Sequence, residues 1–337
     1  MPFIIDYSLF TFSPFTIHHS PFTFSPLTID HIIQVEGLTK QFTEVKAVDA
    51  LVFSVAKGEV YGFLGQNGAG KSTTIRMLLT LARPTAGTIR IFGKNIYSHR
   101  REILLQTGAI IEKPDLYNYL TALENLQIMS KLNGFYPDRN ILMRQLEKLG
   151  IADRAHSKVK TFSQGMKQRL GIACALIHDP QLIILDEPTN GLDPQGIADV
   201  RNLILQLSRE EGKTVFVSSH LLSEMELIAD SMLIIDEGKK IAEGKVSTLL
   251  HPSETLVTIE TNDNVRALAL IGQSRWANRI NSRETLELKM DIKEIPALVE
   301  FLVQQKIEIH AVQPRHSLEE YFLSLTTGRT HVAAYKH

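Results

Sequence analysis

Cysteine is nearly absent from this chain of 337 residues: Cys174 is the only one, which excludes an internal disulfide framework and any site built from several thiolates. A reducing compartment fits that usage. Cys174 closes the apolar run Gly171-Ile172-Ala173-Cys174, where a small buried thiol is expected rather than a nucleophile. Nowhere do 18 apolar residues follow one another, so no helical segment is expected to span a bilayer, and any membrane contact is expected to come through a partner. Neither sign of charge is in excess: 36 Lys and Arg stand against 37 Asp and Glu, a formal net charge of -1. That balance supplies no general attraction to nucleic acid phosphates, and no nucleic acid partner is expected. Basic residues are missing from the start of the chain, where the first is Lys40, so the beginning does not read as a secretory signal.

What is present is ordinary for a globular protein, with 44% hydrophobic and 22% charged residues, and the length favours about two domains. Residues 1–31 stand apart. They are rich in Phe, Ser, Thr and Pro, and the pentapeptide Phe-Thr-Phe-Ser-Pro occurs at 10–14 and again at 22–26. This low-complexity texture is expected to form a disordered extension, or to be upstream sequence translated from a misplaced start site.

From residue 32 onward, β-branched runs separated by turn residues predict strands over 32–35, 47–55, 60–64 and 88–92, with a helix over 71–82 that Arg83-Pro84 ends. Between about 112 and 165 the spacing turns helical, as in Leu123 and Leu126 and again in Leu142, Leu146 and Leu149, which predicts an inserted helical subdomain. A buried strand at 182–185, a helix at 194–207 and a strand at 214–217 follow. Strands alternating with helices imply an α/β core with a mainly parallel sheet. Beyond Gly244 the texture changes again: strands at 255–260, 285–290 and 307–312 with a helix at 296–305 predict a small α+β domain over 245–327. A closing helix is expected over 317–325, capped by Ser317, before a tail at 328–337. No catalytic constellation is visible in this last part, which points to binding, dimerisation or regulation.

The strongest chemical signal is Gly65-Gln66-Asn67-Gly68-Ala69-Gly70-Lys71-Ser72, followed by Thr73. It lies between a predicted strand and a predicted helix, as a phosphate-binding loop requires. Glycines let successive backbone N-H groups turn toward phosphate oxygens, and the helix N-terminus adds partial positive charge. Lys71 would neutralise the outer phosphates and the Ser72 hydroxyl would hold Mg²⁺. By ordinary residue frequencies such a match arises by chance in about one chain of this length in a hundred. Downstream, Leu182-Ile183-Ile184-Leu185 ends in Asp186-Glu187. Asp186 is expected on the metal, through its water shell, and Glu187 on the attacking water. Alone, such an acidic pair would read as a solvated strand end.

The order of these motifs resembles the ABC ATPase family over roughly 32–244, giving a phosphate-loop nucleotide hydrolase core. Phe162-Ser163-Gln164-Gly165-Met166 looks like the family's signature segment, whose commonest form is Leu-Ser-Gly-Gly-Gln. The resemblance implies that Ser163 and Gly165 meet the ATP held by the other cassette of a dimer. Asn190-Gly191-Leu192-Asp193 looks like the loop that carries signals between the two sites. His220, at the end of Ser218-Ser219-His220, looks like the switch histidine, although an isolated histidine there would read as structural. Phe42 looks like the aromatic that stacks on adenine, with core packing as the alternative. Where the family places a Gln that touches the metal, this chain has Glu112, as do the similar cassettes of bacitracin-resistance and lantibiotic-immunity exporters.

The resemblance therefore implies an ATP-hydrolysing motor subunit that uses ATP and Mg²⁺ at the cytoplasmic face of a membrane, with separately encoded transmembrane permease subunits and a second cassette, identical or paralogous, as partners. The alternative is a soluble ABC protein acting on ribosomes or nucleic acid; the single phosphate loop and the lack of a long Lys/Arg run count against it. A nucleotide sensor without catalysis is disfavoured because Asp186, Glu187 and His220 are all present.

Overall fold

The computed structural model describes residues 30–249, 255–282 and 285–316. The repeats of 1–29 and the helix expected at 317–325 lie outside the described residues. In chain order the elements are β1 (His31–Gln41), β2 (Lys46–Ala56), β3 (Val60–Gly65), α1 (Lys71–Leu78), β4 (Ala86–Ile91), β5 (Lys94–Asn95), α2 (Arg100–Leu104), β6 (Thr107–Ile110), α3 (Ala122–Leu132), α4 (Arg139–Lys148), α5 (Gln164–Leu176) and β7 (Leu182–Asp186). They continue with α6 (Pro194–Arg209), β8 (Thr214–Ser219), α7 (Leu222–Ile228), β9 (Ser231–Asp236), β10 (Lys239–Lys245), α8 (Val246–Leu249), β11 (Thr255–Thr261), α9 (Asn264–Gly272), β12 (Ile280–Ser282), β13 (Glu287–Met290), α10 (Ile295–Gln304) and β14 (Ile309–His316).

The central sheet has the order β10-β9-β3-β8-β7-β6, parallel from β9 through β6, with β10 antiparallel at one edge. Its inner strands are buried on both faces, which is why they read as unbroken apolar runs instead of alternating ones. A second, antiparallel sheet, β2-β1-β4-β5, lies against it. Sequence pattern alone did not separate these two sheets, because antiparallel β1 and β2 carry the same β-branched residues as the parallel core.

Period-two alternation sorts the core into two layers. Val60, Leu64, Ile183, Leu185, Val215 and Val217 face the layer that holds α3, α5 and α6. Tyr61, Phe63, Ile184 and Phe216 face the layer that holds α1 and the antiparallel sheet. There Phe53, Tyr61, Phe63 and Phe216 pack ring against ring, with centroids 5.3 to 6.2 Å apart. The same parity carries Asp186 and Ser218, register partners at the ends of β7 and β8, onto the α1 side.

Helices α3, α4 and α5 share one core through Leu126, Leu142, Leu146 and Leu170. Thr121 caps α3 in a reciprocal capping box with Glu124, and Asp138 caps α4. The helix expected over 71–82 ends earlier, at Leu78: Thr80 takes a left-handed φ of 59° and the chain turns through Ala82.

The third sheet, β12-β13-β11-β14, is antiparallel and has its own apolar core. Its order β-α-β-β-α-β is the ferredoxin-like split arrangement. Trp276, the only tryptophan in the chain, is 4% exposed there, 5.5 Å from the Phe301 ring and under the Arg275 guanidinium. Among the described residues no helix is long and apolar enough to cross a membrane.

Candidate functional site

The parallel strands β3, β7 and β8 end side by side, and the loops that leave them carry the charged residues singled out in the sequence. The loop after β3 curls through Gly68 and Gly70, both at positive φ (87° and 103°), into the N-terminus of α1. Gly70 has no room for a side chain: a Cβ there would lie 2.4 Å from the Ala47 carbonyl oxygen. At Gly65 a Cβ would meet the Ile235 carbonyl oxygen at 2.7 Å. Close backbone approach therefore fixes glycine at both positions. Asn67 and Gly68 are exposed, Gln66, Ser72 and Thr73 are half-buried, and Ala69 is buried.

Lys71 is buried, and its ammonium has three oxygen partners in the chain: the Gly65 carbonyl at 2.6 Å, the Gln66 carbonyl at 3.3 Å and Glu187 Oε1 at 3.0 Å. Glu187 Oε2 lies 2.8 Å from His220 Nδ1. One carboxylate thus sits between an ammonium and an imidazole. Glu187 has φ 49° and Glu112 has φ 59°; both are non-glycine residues in left-handed backbone, a strain that collects at functional sites.

Asp186 is 1% exposed. Its Oδ1 accepts a hydrogen bond from Ser218 Oγ at 2.5 Å, and Ser218 Oγ accepts one from the Glu187 backbone N-H at 3.0 Å. Asp186 Oδ2 is buried without a hydrogen-bond partner. A buried carboxylate oxygen with no donor is costly unless a cation meets it, so this residue fits a hard metal ion such as Mg²⁺. Ser72, the second residue of α1, lies on the same side of the sheet as Asp186.

The remaining expected residues lie apart from this cluster. The Glu112 carboxylate is held by Arg76 at 2.6 Å in an exposed pair. Arg76 is four residues after Ser72 and shares its face of α1. Phe42 is 50% exposed with the Lys40 ammonium 5.0 Å from its ring centre, so it presents a ring face rather than filling the core. Exposed Ser163 caps α5, its Oγ accepting from the Met166 N-H, and the space around Gly165 is open. Asp193 caps α6, its Oδ1 accepting from the Gly196 N-H at 3.1 Å. Cys174 is buried, and burial pushes its thiol up to about 12, consistent with an inert side chain.

Sequence reasoning missed the contacts of Ser218 and Arg76. Ser218 was within reach, because it immediately precedes Ser219-His220 on a strand that must neighbour the one ending in Asp186. Arg76 and Glu112 are 36 residues apart, and nothing in their local spacing announces the pair.

A glycine-walled loop opening a helix, a buried lysine and an acidic strand end beside a histidine define a phosphate-loop nucleotide hydrolase. The residue pattern of the family described as ABC transporter matches residues 48–190. The chain is 41% identical to the bacitracin transport ATP-binding protein BcrA of Bacillus licheniformis, over 89% of this chain and 98% of that protein. It is 42% identical to the lantibiotic transport ATP-binding protein SrtF of Streptococcus pyogenes, over 63% of this chain and 90% of that one. Among solved structures, cbiO1 of Clostridium perfringens, part of the ABC transporter complex cbiONQ, superimposes with a TM-score of 0.60 at 28% identity, covering 65% of this chain and 90% of its own. The chain belongs to the ATP-binding proteins of ABC transporters, and it is an ATP-hydrolysing cassette.

Proposed function

We propose that this cassette drives export of a peptide antibiotic or a drug-like solute, working as a pair of cassettes on separately encoded membrane subunits at the cytoplasmic face of the membrane. The observation that carries the hydrolytic part is the convergence of Lys71 and His220 on the two oxygens of the Glu187 carboxylate, at 3.0 and 2.8 Å, next in sequence to Asp186 with its donorless oxygen. Similarity over nearly the whole length of a bacitracin transport protein supports the exporter part.

Phosphoryl transfer to water needs charge neutralisation and a positioned nucleophile more than covalent help. Backbone N-H groups of Gly68, Gly70 and Lys71 cradle the phosphates, and phosphate oxygens compete with Glu187 for the Lys71 ammonium. Once Lys71 turns to phosphate, the Glu187 carboxylate is free to orient the attacking water and take its proton. His220, through the Nδ1 contact, holds Glu187 in place and offers its other ring nitrogen toward the γ-phosphate. Ser72 and Asp186 would hold Mg²⁺, which neutralises phosphate charge when bound; Glu112 follows β6, the neighbour of β7, and would join them only by leaving Arg76. Phe42 stacks on adenine, while Ser163 and Gly165 complete the site of the second cassette, so hydrolysis requires a dimer.

The test uses Glu187→Gln protein, loaded with ATP and purified from detergent-solubilised native membranes. We expect ATP binding to persist, hydrolysis to fall by about a hundredfold or more, and a polytopic membrane protein to co-purify at near-equal stoichiometry. Unchanged turnover would sink the role of Glu187. Recovery of ribosomal or DNA-associated proteins in place of a membrane protein would replace the transport reading.

A further inference from the structure

The loop that leaves Glu187 is tied to the helix that follows His220 by a second bond that the hydrolytic reading does not use. Thr189 Oγ1 donates to Glu224 Oε2 at 2.6 Å. Thr189 lies two residues beyond Glu187, and Glu224 lies four residues beyond His220, in the first turn of α7. Together with the contact between His220 Nδ1 and Glu187 Oε2 at 2.8 Å, this closes a ring. It runs from Glu187 to Thr189 along the chain, across to Glu224, back along the chain to His220, and across again to Glu187.

Both arms of the ring are stiff. On one side Asn190 N-H donates to the Glu187 carbonyl at 3.1 Å and Leu192 N-H to the Thr189 carbonyl at 3.2 Å, so the loop is two successive turns running into the Asp193 cap of α6. On the other side α7 is anchored in the core by Leu222, Met225 and Ile228, and Leu221 N-H donates to Ser219 Oγ at 3.0 Å. Between the arms, under Pro188, Thr189, Arg201, Glu224 and Met225, the cavity is only about 10 Å³. That is at the limit for a single water molecule on the inner side of this part-buried bond. A hydroxyl donating to a carboxylate at this distance is a charge-assisted bond of the stronger kind.

We infer that Thr189 and Glu224 are positioning residues for ATP hydrolysis: their bond fixes the loop after Glu187 to α7, and so sets the alignment of the Glu187 carboxylate with the His220 ring. The inference rests on the proposed roles of Glu187 and His220. Glu187 alone cannot hold its geometry through local preference, since its backbone sits at a φ of 49°. Two cross-links, one made by its own side chain and one two residues further along, restrain that strained residue where one would leave a pivot.

The experiment compares Thr189→Val, Thr189→Ser, Glu224→Ala and the Thr189→Val/Glu224→Ala double variant in the full chain, with Glu187→Gln and His220→Ala beside them. Steady-state ATPase, affinity for a fluorescent ATP analogue and thermal midpoint are read for each. For Thr189→Val we expect kcat to fall about tenfold, the size of one lost charge-assisted hydrogen bond. ATP affinity stays within about twofold, because only the hydrolytic residues move. Thr189→Ser keeps the hydroxyl and restores kcat. The double variant is no slower than the worse single one, because both remove the same bond. Full kcat in Thr189→Val would overturn the inference, as would losses that multiply in the double variant, or a fall in Thr189→Ser equal to that in Thr189→Val. If Glu187→Gln and His220→Ala hydrolyse ATP normally, the hydrolytic reading fails and this inference falls with it. If those two lose hydrolysis while Thr189→Val does not, only this inference fails.

Discussion

Two glycines of the phosphate loop share a left-handed backbone but differ in what surrounds them, so replacing each with alanine separates conformational strain from steric overlap. Gly68 has φ 87° and open space where a Cβ would go; Gly70 has φ 103° and the Ala47 carbonyl oxygen 2.4 Å from that point. A non-glycine residue in left-handed backbone costs about 1 to 2 kcal/mol. Gly68→Ala should lose that much and little more. Gly70→Ala adds an overlap with a backbone atom that cannot rotate away, and overpacking of this kind costs about 1 to 3 kcal/mol more. The combined loss of about 2 to 5 kcal/mol is a large share of the roughly 5 to 15 kcal/mol that holds a typical domain together. Urea unfolding followed by far-ultraviolet circular dichroism measures both variants. With a slope of about 1 to 3 kcal/mol per molar urea, the midpoint of Gly70→Ala should fall well below that of Gly68→Ala. Equal midpoints would show that β2 yields to the new methyl group and would refute the claim that close approach fixes Gly70.

The exposed pair of Arg76 and Glu112 should contribute less than about 1 kcal/mol to folding, yet Arg76→Gln should weaken ATP affinity a few-fold by leaving a carboxylate uncompensated beside the helix that carries Ser72. Adding Glu112→Gln should restore affinity; titration of a fluorescent ATP analogue with Mg²⁺ and with EDTA reads this, and additive effects would disprove the pairing. His178 bonds through Nε2 to the Thr107 carbonyl, and burial holds its pKa below the ordinary histidine value. Its neutral form is favoured by folding, so the contribution is complete above a pH of about 6.5 and is lost as pH falls toward the lower folded-state value. His178→Gln should therefore flatten the decline of the thermal midpoint between pH 7 and 5, and an unchanged slope would count against this assignment.

The legible parts of the sequence were those governed by short-range chemistry. Gly65 to Ser72 and the apolar run into Asp186-Glu187 state their own context, because a loop that curls around phosphate and a strand buried on both faces each demand a narrow set of residues. The hydrophobic spacing of Leu142, Leu146 and Leu149 likewise revealed the helix α4. What depended on distant partners was hidden. Ser218 gains its place by register with Asp186, Arg76 meets Glu112 across 36 positions, and Thr189 reaches Glu224 across 35. Strands expected at 255–260, 285–290 and 307–312 with a helix at 296–305 suggested an α+β unit, but the ferredoxin-like order emerged only from which strands pair. The early stop of α1 had little local signal, since Leu79, Leu81 and Ala82 are good helix formers and only Thr80, which turns left-handed, is a weaker one.

The placement of Trp276 gives the molecule a built-in optical partition. Its emission comes from the core of the third sheet alone, among Phe301, Leu298 and Val257, while the ATP-binding strands carry tyrosine and phenylalanine but no indole. Unfolding followed by tryptophan fluorescence therefore watches the ferredoxin-like unit, and circular dichroism watches the whole chain. Where the two curves part, the nucleotide-binding core and the C-terminal unit melt as separate cooperative blocks; where they coincide, the two stand or fall together.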